Sequence, residues 1–145
     1  MNESSEKDSR REAAHRKLRI TLVAGSLYDA TFAFINLAAP GFGSWFLEIQ
    51  LPQEQIYLRL TGVFLLMAAC FYMLPVIHPE RYLGNVVVAI LGRGMGAIFL
   101  IAAAVAFGQH PAFIFLGAGD LVFALLHLYY LARAEGGNPL RHYFE

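Results

Sequence analysis

Two long stretches of the 145-residue chain carry no formal charge: residues 60–79 and residues 94–119. A helix needs about 20 apolar residues to cross the hydrocarbon core of a bilayer, so both stretches are long enough. The second stretch is interrupted at residues 108–111, where Gly, Gln, His and Pro follow one another. Because Gly and Pro favour turns, one span is predicted to end there and another to begin.

The hydrophobic pattern predicts four membrane-spanning helices in all. Hydrophobic residues form 57% of the chain and charged residues 15%, against about 45–50% and 25% in an ordinary soluble domain. Residues 63–73 and 97–106 lack the polar face of a soluble helix, and residues 86–91 do not alternate as a barrel strand does. We therefore expect an all-α integral membrane four-helix bundle, with spans at residues 18–38, 56–77, 82–107 and 111–133.

The basic residues are distributed unevenly between the two ends of these spans. The opposite loops, residues 39–55 and 108–110, contain none. By the positive-inside rule, both termini are expected in the cytoplasm of a bacterial inner-membrane protein. Residues 1–17 would form a charged cytoplasmic tail, 18–133 the membrane domain and 134–145 a C-terminal cytoplasmic tail. Nine of the eleven basic residues lie on the terminal side: Lys7, Arg10, Arg11, Arg16, Lys17, Arg19, Arg81, Arg133 and Arg141.

The longer outer loop, residues 41–55, mixes aromatic residues with few charges. Trp and Tyr favour the headgroup layer, which suits a short interfacial helix capped by Ser44. A compact loop folded over the mouth of the bundle is an equally good interpretation. Either arrangement predicts a lid on the outer side.

Four formal charges fall inside the predicted spans: Asp29, Arg59, Arg93 and Asp120. A charge at the bilayer centre costs at least about 2.5–3.5 kcal/mol, so these residues should face one another or a wet cavity. Their depths, at about 1.5 Å of rise per residue, favour pairing Arg93 with Asp29 and Arg59 with Asp120.

Small and polar residues recur at steps of three and four on the first and fourth spans, so they share one face of each helix. This pattern predicts a polar slot inside the bundle. Three glycines, Gly62, Gly92 and Gly96, are expected to permit close helix packing. The candidate slot residues are Asp29, Arg59, Arg93, Asp120, Asn36, His127, Tyr28 and Tyr57.

Two interpretations of the slot remain open. Its ion pairs could lock helix order and register, or they could form a site, which is the usual meaning of ionisable residues within a membrane. As a site, the slot could hold a lipid headgroup, a quinone or a small metabolite, and Asp29 or Asp120 could act as a general base.

Other chemistries find little support in the sequence. No H-x-x-H or C-x-x-C pair occurs, and only His127 lies well inside a span, so neither a metal nor a haem is predicted. Cys70 is the single cysteine, which excludes a disulfide framework. A net charge of zero argues against nucleic-acid binding.

Short motifs in the spans carry a family resemblance. The second and third spans contain R-x-x-G, at Arg59–Gly62 and Arg93–Gly96, and the fourth contains Gly-Ala-Gly-Asp120. These motifs resemble the DoxX-like family of small four-helix membrane proteins, over about residues 19–132. The resemblance implies an accessory membrane subunit associated with quinone chemistry. Asp29 and the long outer loop have no clear counterpart in it.

The expected function is therefore that of a small accessory or interaction subunit of a larger membrane complex, redox-linked through a quinone, rather than an autonomous enzyme. The lipid bilayer is one partner, and a membrane protein or a second copy of the chain is another. The alternative is a small membrane enzyme, or a protein that binds a lipid or small molecule in the slot. The residues expected to contact a protein partner are Phe64, Phe71, Phe99 and Phe115.

Overall fold

The computed structural model describes residues 3–78 and 81–135, and in these residues all regular structure is helical. All the helices except α2 are long and apolar enough to cross a membrane, which confirms four candidate spans. The predicted bounds of the last three spans are right to within one residue at each end. Most of the predicted C-terminal tail, including Arg141, lies outside the described residues. The helices are α1 (Glu3–Ala38), α2 (Pro40–Leu47), α3 (Ile56–Ile77), α4 (Leu83–Ala106) and α5 (Ala112–Ala134).

Helix α1 is longer than the predicted first span, because the charged segment before Leu18 is helical and continuous with it. That segment is rich in Glu, Lys, Arg and Ala, which are good helix formers, and it contains no Gly or Pro. Arg10 and Glu6 form an ion pair one turn apart, at 2.5 Å. With 36 residues, α1 extends about 54 Å, well beyond a bilayer core of about 30 Å.

The short helix α2 begins at Pro40, directly after α1 ends. Proline suits the first position of a helix, since its fixed φ is helical and it needs no N–H partner there. The N-cap residue of α2 is Ala39, whose side chain makes no capping hydrogen bond. The expected Ser44 cap is therefore wrong: Ser44 lies within α2, and its hydroxyl donates to the Ile49 carbonyl.

The long helices pack side by side, with α1 against α3 and α5, and α4 against α5 and α3. Glycines bring two of these pairs close together. A Cβ atom on Gly62 of α3 would lie 3.1 Å from the Ala33 carbonyl oxygen of α1. A Cβ atom on Gly117 of α5 would lie 3.0 Å from the Ala97 carbonyl oxygen of α4. Small residues at these points let the helix backbones approach.

The interior changes character along the helices. At the end of the bundle where α4 begins and α5 ends, it is an apolar core formed by four side chains that are at most 1% exposed. Farther along, the charged residues Asp29 and Arg93 are buried between α1 and α4. At the far end, α2 lies over a partly open cavity. The core side chains are Leu18, Leu22, Val86 and Leu131.

Candidate functional site

Arg93, on α4, is the centre of the buried polar cluster and is 4% exposed. Its Nη2 atom donates to Asp29 Oδ2 at 2.7 Å and to the Gly25 carbonyl oxygen at 2.8 Å, both on α1. Its Nη1 atom donates to Asp120 Oδ1 of α5 at 2.7 Å. One guanidinium therefore ties three helices together, which its rigid fork of N–H donors allows. We call Asp29, Arg93 and Asp120 the charge cluster.

Aromatic rings surround the same guanidinium. The ring centroids of Phe123, Tyr72 and Tyr28 lie 4.9, 5.3 and 5.8 Å from Arg93 Cζ. A cation within about 6 Å of an aromatic face is attracted by the ring electrons, more strongly where water is excluded. These rings stabilise the Arg93 charge on the sides that the two carboxylates leave open.

One of the two predicted ion pairs is present and the other is wrong. Arg93 contacts Asp29 as expected, but Asp120 also pairs with Arg93 rather than with Arg59. Arg59 is exposed and donates instead to the Leu37 carbonyl at 2.7 Å. The physical reason lies in its position: it follows the start of α3, beside the last turn of α1, whose carbonyls lack intrahelical partners.

The charge cluster is therefore unbalanced. Two carboxylates share one guanidinium, so its formal charge with both aspartates ionised is one negative unit. Each aspartate uses one oxygen for Arg93. Asp29 Oδ1 and Asp120 Oδ2 accept no hydrogen bond from the part of the chain that the structure describes.

A cavity of about 590 Å³ lies between the charge cluster and α2. Asp29 and Asp120 line its deep end, whereas Arg93 does not line it. Along α1 the cavity extends from Tyr28 to Asn36, which is eight residues or about 12 Å. Aromatic and aliphatic side chains form most of its wall, including Phe32, Phe46, Phe99, Phe113, Leu65, Leu100 and Leu116.

The remaining predicted slot residues fall into three places. Tyr28 and Asn36 line the cavity with the two aspartates. His127 is fully buried outside the cavity, near Gly25, and neither ring nitrogen meets hydrogen-bond geometry with a described residue, although the Thr21 main chain is close. Tyr57 is 70% exposed and, like Arg59, lies away from the charge cluster.

Two of the three predicted packing glycines make room for polar side chains rather than for a helix backbone. A Cβ atom on Gly96 would lie 3.3 Å from Asp120 Oδ2, and one on Gly92 would lie 3.4 Å from the Tyr72 hydroxyl. Gly62 alone contacts a neighbouring helix backbone, as predicted. Replacing Gly96 would therefore crowd the carboxylate in the charge cluster.

Sequence reasoning missed Tyr72 and most of the cavity wall. Tyr72 is an uncharged residue in an apolar span, and the aromatic periodicity of that span does not distinguish it from a lipid-facing neighbour. The cavity wall depends on where α2 sits, which hydrophobicity alone does not fix. In the described residues 3–78 and 81–135, no three His, Cys, Asp or Glu side chains come together as a metal site.

Comparison of the chain with family models, with curated proteins and with solved structures finds no match. The chemistry of the site therefore rests on its geometry: acceptor oxygens at the deep end of an apolar cavity, backed by one arginine.

Proposed function

We propose that this chain is an integral membrane protein that binds a small molecule in the cavity between α2 and the charge cluster. The observation that carries the proposal is the position of Asp29 and Asp120, two largely buried carboxylates at the deep end of a cavity of about 590 Å³. Small-molecule sites have volumes of about 300–1,000 Å³, apolar walls and a few convergent polar groups. The cavity has all three properties.

The unbalanced charge favours a site over a structural lock. Ion pairs that only fix the helix packing are most stable with one base for each acid, because an unpaired buried charge lowers the stability of the fold. Here a second acid is present without a second base, and both acids line the cavity. A lock also gives no reason for an open volume beside the charges, since protein interiors are normally close-packed.

The asymmetry of basic residues supports an orientation for this site. With both termini in the cytoplasm, α2 lies on the outer side of a bacterial inner membrane and covers the outer mouth of the cavity. A ligand would then enter from the outer side, or laterally from the outer leaflet.

The expected role as an accessory subunit, with a DoxX-like relationship and a quinone link, stays a prediction. Exposed aromatic side chains at Phe64, Phe71, Phe99 and Phe115 are compatible with contacts to a partner protein as well as to lipid, and Phe99 also lines the cavity. Ligand binding and membership of a complex do not exclude each other. Binding, rather than turnover, is the activity that we propose for the isolated chain.

A pair of adjacent leucines on α3 provides the test. Leu65 lines the cavity, whereas Leu66 does not and is exposed on the outer surface. Leu65→Trp should fill the cavity, and Leu66→Trp is the matched control. Native mass spectrometry in mild detergent should show a bound small molecule on the wild type and on Leu66→Trp, but not on Leu65→Trp. An unliganded wild type, or equal occupancy of both variants, would contradict the proposal.

A further inference from the structure

The geometry points to a protonated amine with an apolar body as the ligand class. This inference rests on the proposed function and specifies which small molecule the cavity accepts. The ammonium group would lie between Asp29 and Asp120, and the apolar body would extend toward α2. Three features of the cavity favour this ligand class: the sign of the charge that faces it, the hydrogen-bonding groups at its deep end, and its apolar walls.

With both aspartates ionised, the charge facing the cavity is negative. Both carboxylates line the cavity, and the guanidinium of Arg93 lies behind them, where it contacts the Gly25 carbonyl and three aromatic rings. A ligand at the deep end therefore meets two negative charges before it meets the positive one. In an environment of low dielectric constant this order matters, because charge interactions there are screened far less than in water. A monovalent cation would also bring the formal charge of the cluster to zero.

The hydrogen-bonding groups at the deep end favour a donor. Asp29 Oδ1 and Asp120 Oδ2 have no donor among the described residues, and an ammonium group carries three N–H donors. Ligands whose polar end consists of acceptor oxygens, such as phosphate headgroups, carboxylates and oxidised quinones, would place oxygen against oxygen. Such ligands would have to find their donors elsewhere in the lining, on side chains such as Tyr28, Asn36 and Gln50.

The walls suit the rest of such a molecule. Phe32 and Phe113 are partly buried and line the cavity together with aliphatic residues, so they can bury an alkyl or aryl body. Aromatic faces also attract cations, which extends the preference for positive charge beyond the carboxylates. The length along α1, about 12 Å, together with the lining residues of α2 beyond it, accommodates a ten-carbon chain.

Three probes with one chain length and different headgroups test the inference: decylammonium, decanol and decanoate. Binding to the full chain in nanodiscs is measured by calorimetry, with protein-free nanodiscs subtracted. Decylammonium should bind the wild type at least about tenfold more tightly than decanol, and decanoate least. The preference should fall to near unity in Asp120→Asn, which makes the formal charge of the cluster zero. Glu54→Gln, which removes an exposed carboxylate outside the cavity, should leave it unchanged.

The outcomes separate the two proposals. If decanol or decanoate binds as well as decylammonium, and Leu65→Trp blocks that binding, the cavity is a site and the amine inference is overturned. If no probe binds the wild type, or Leu65→Trp binds all three unchanged, the proposed function is overturned as well. The headgroup series on the wild type requires no variant, so a folding defect in Asp120→Asn cannot obscure the result.

Discussion

At the residue scale, a single arginine accounts for most of the buried electrostatics. Arg93 serves two acids and a backbone carbonyl because its donors lie in a rigid plane and point in several directions. The sequence was sufficient to show that Asp29 and Arg93 must find partners, since charges within a membrane are costly. It was not sufficient to assign Asp120, because depth fixes a residue's height along its helix but not the side of the helix on which it lies.

Removing the shared base should destabilise the fold. Arg93→Met leaves two largely buried carboxylates without a base, and breaking a buried pair costs about 3–5 kcal/mol. The apparent Tm in detergent should fall sharply, and the triple variant Asp29→Asn, Arg93→Met, Asp120→Asn should recover part of the loss because it buries no charge. Arg59→Met, at an exposed position, is the control. Equal effects of Arg93→Met and Arg59→Met would show that the cluster does not hold the helices together.

His127 should contribute little to stability. Its ring nitrogens make no hydrogen bond of good geometry to the described residues, and an unsatisfied buried polar group costs about 1–3 kcal/mol. His127→Leu removes both nitrogens with little change in volume, so the apparent Tm should stay level or rise. A fall comparable to that of Arg93→Met would mean instead that the imidazole makes a strong polar contact.

At the element scale, long hydrophobic runs and turn residues predicted α3, α4 and α5 nearly to the residue. The hydrophobic pattern also predicts that the first span begins after the charged segment, whereas α1 continues through both. Charged residues indicate where a helix leaves the hydrocarbon core of the bilayer. They do not end the helix when they are good helix formers. The sequence predicts the lid, but its helix begins at Pro40 rather than after Ser44, because a proline suits the first helical position.

Alanine substitutions at two glycines on neighbouring helices should have different effects on the apparent Tm. Gly62 has the Ala33 carbonyl and Asn36 within about 3.1 Å of a new Cβ, whereas Gly94 has nothing within 4 Å. Overpacking costs about 1–3 kcal/mol, while alanine is favoured over glycine in a helix by about 1 kcal/mol. Gly62→Ala should therefore lower the apparent Tm, and Gly94→Ala should maintain or raise it. The same shift in both variants would contradict close packing of α1 against α3.

At the scale of the whole molecule, the interior changes in order along the helices: an apolar core where α4 begins and α5 ends, then the charge cluster, the cavity and α2. The small and polar stripes on the first and last spans indicated an inward polar face. Gly25, Ser26, Asp29 and His127 are indeed buried. Sequence patterns could not locate the cavity, because its volume depends on how the lid and four helices are placed together rather than on any one of them.

The orientation in the membrane can be tested with single cysteines in a Cys70→Ala background. Gln53→Cys lies after α2, and Glu12→Cys lies in the charged part of α1; both positions are exposed. Because basic residues favour the cytoplasmic side, a membrane-impermeant maleimide should label Gln53→Cys on intact cells. Glu12→Cys should be labelled only after permeabilisation. The reverse pattern would contradict cytoplasmic termini.

Photo-crosslinking tests the binding cavity most directly. A decyl probe with a diazirine in mid-chain, carrying the headgroup that binds most tightly, would be activated on the protein in nanodiscs, and the labelled residues would be identified by mass spectrometry. Binding in the cavity predicts labels on the lining residues Phe32, Leu65, Leu100 and Leu116. Labelling confined to their exposed neighbours Phe34, Leu66, Ile98 and Phe115 would place the probe in the surrounding lipid and contradict the account.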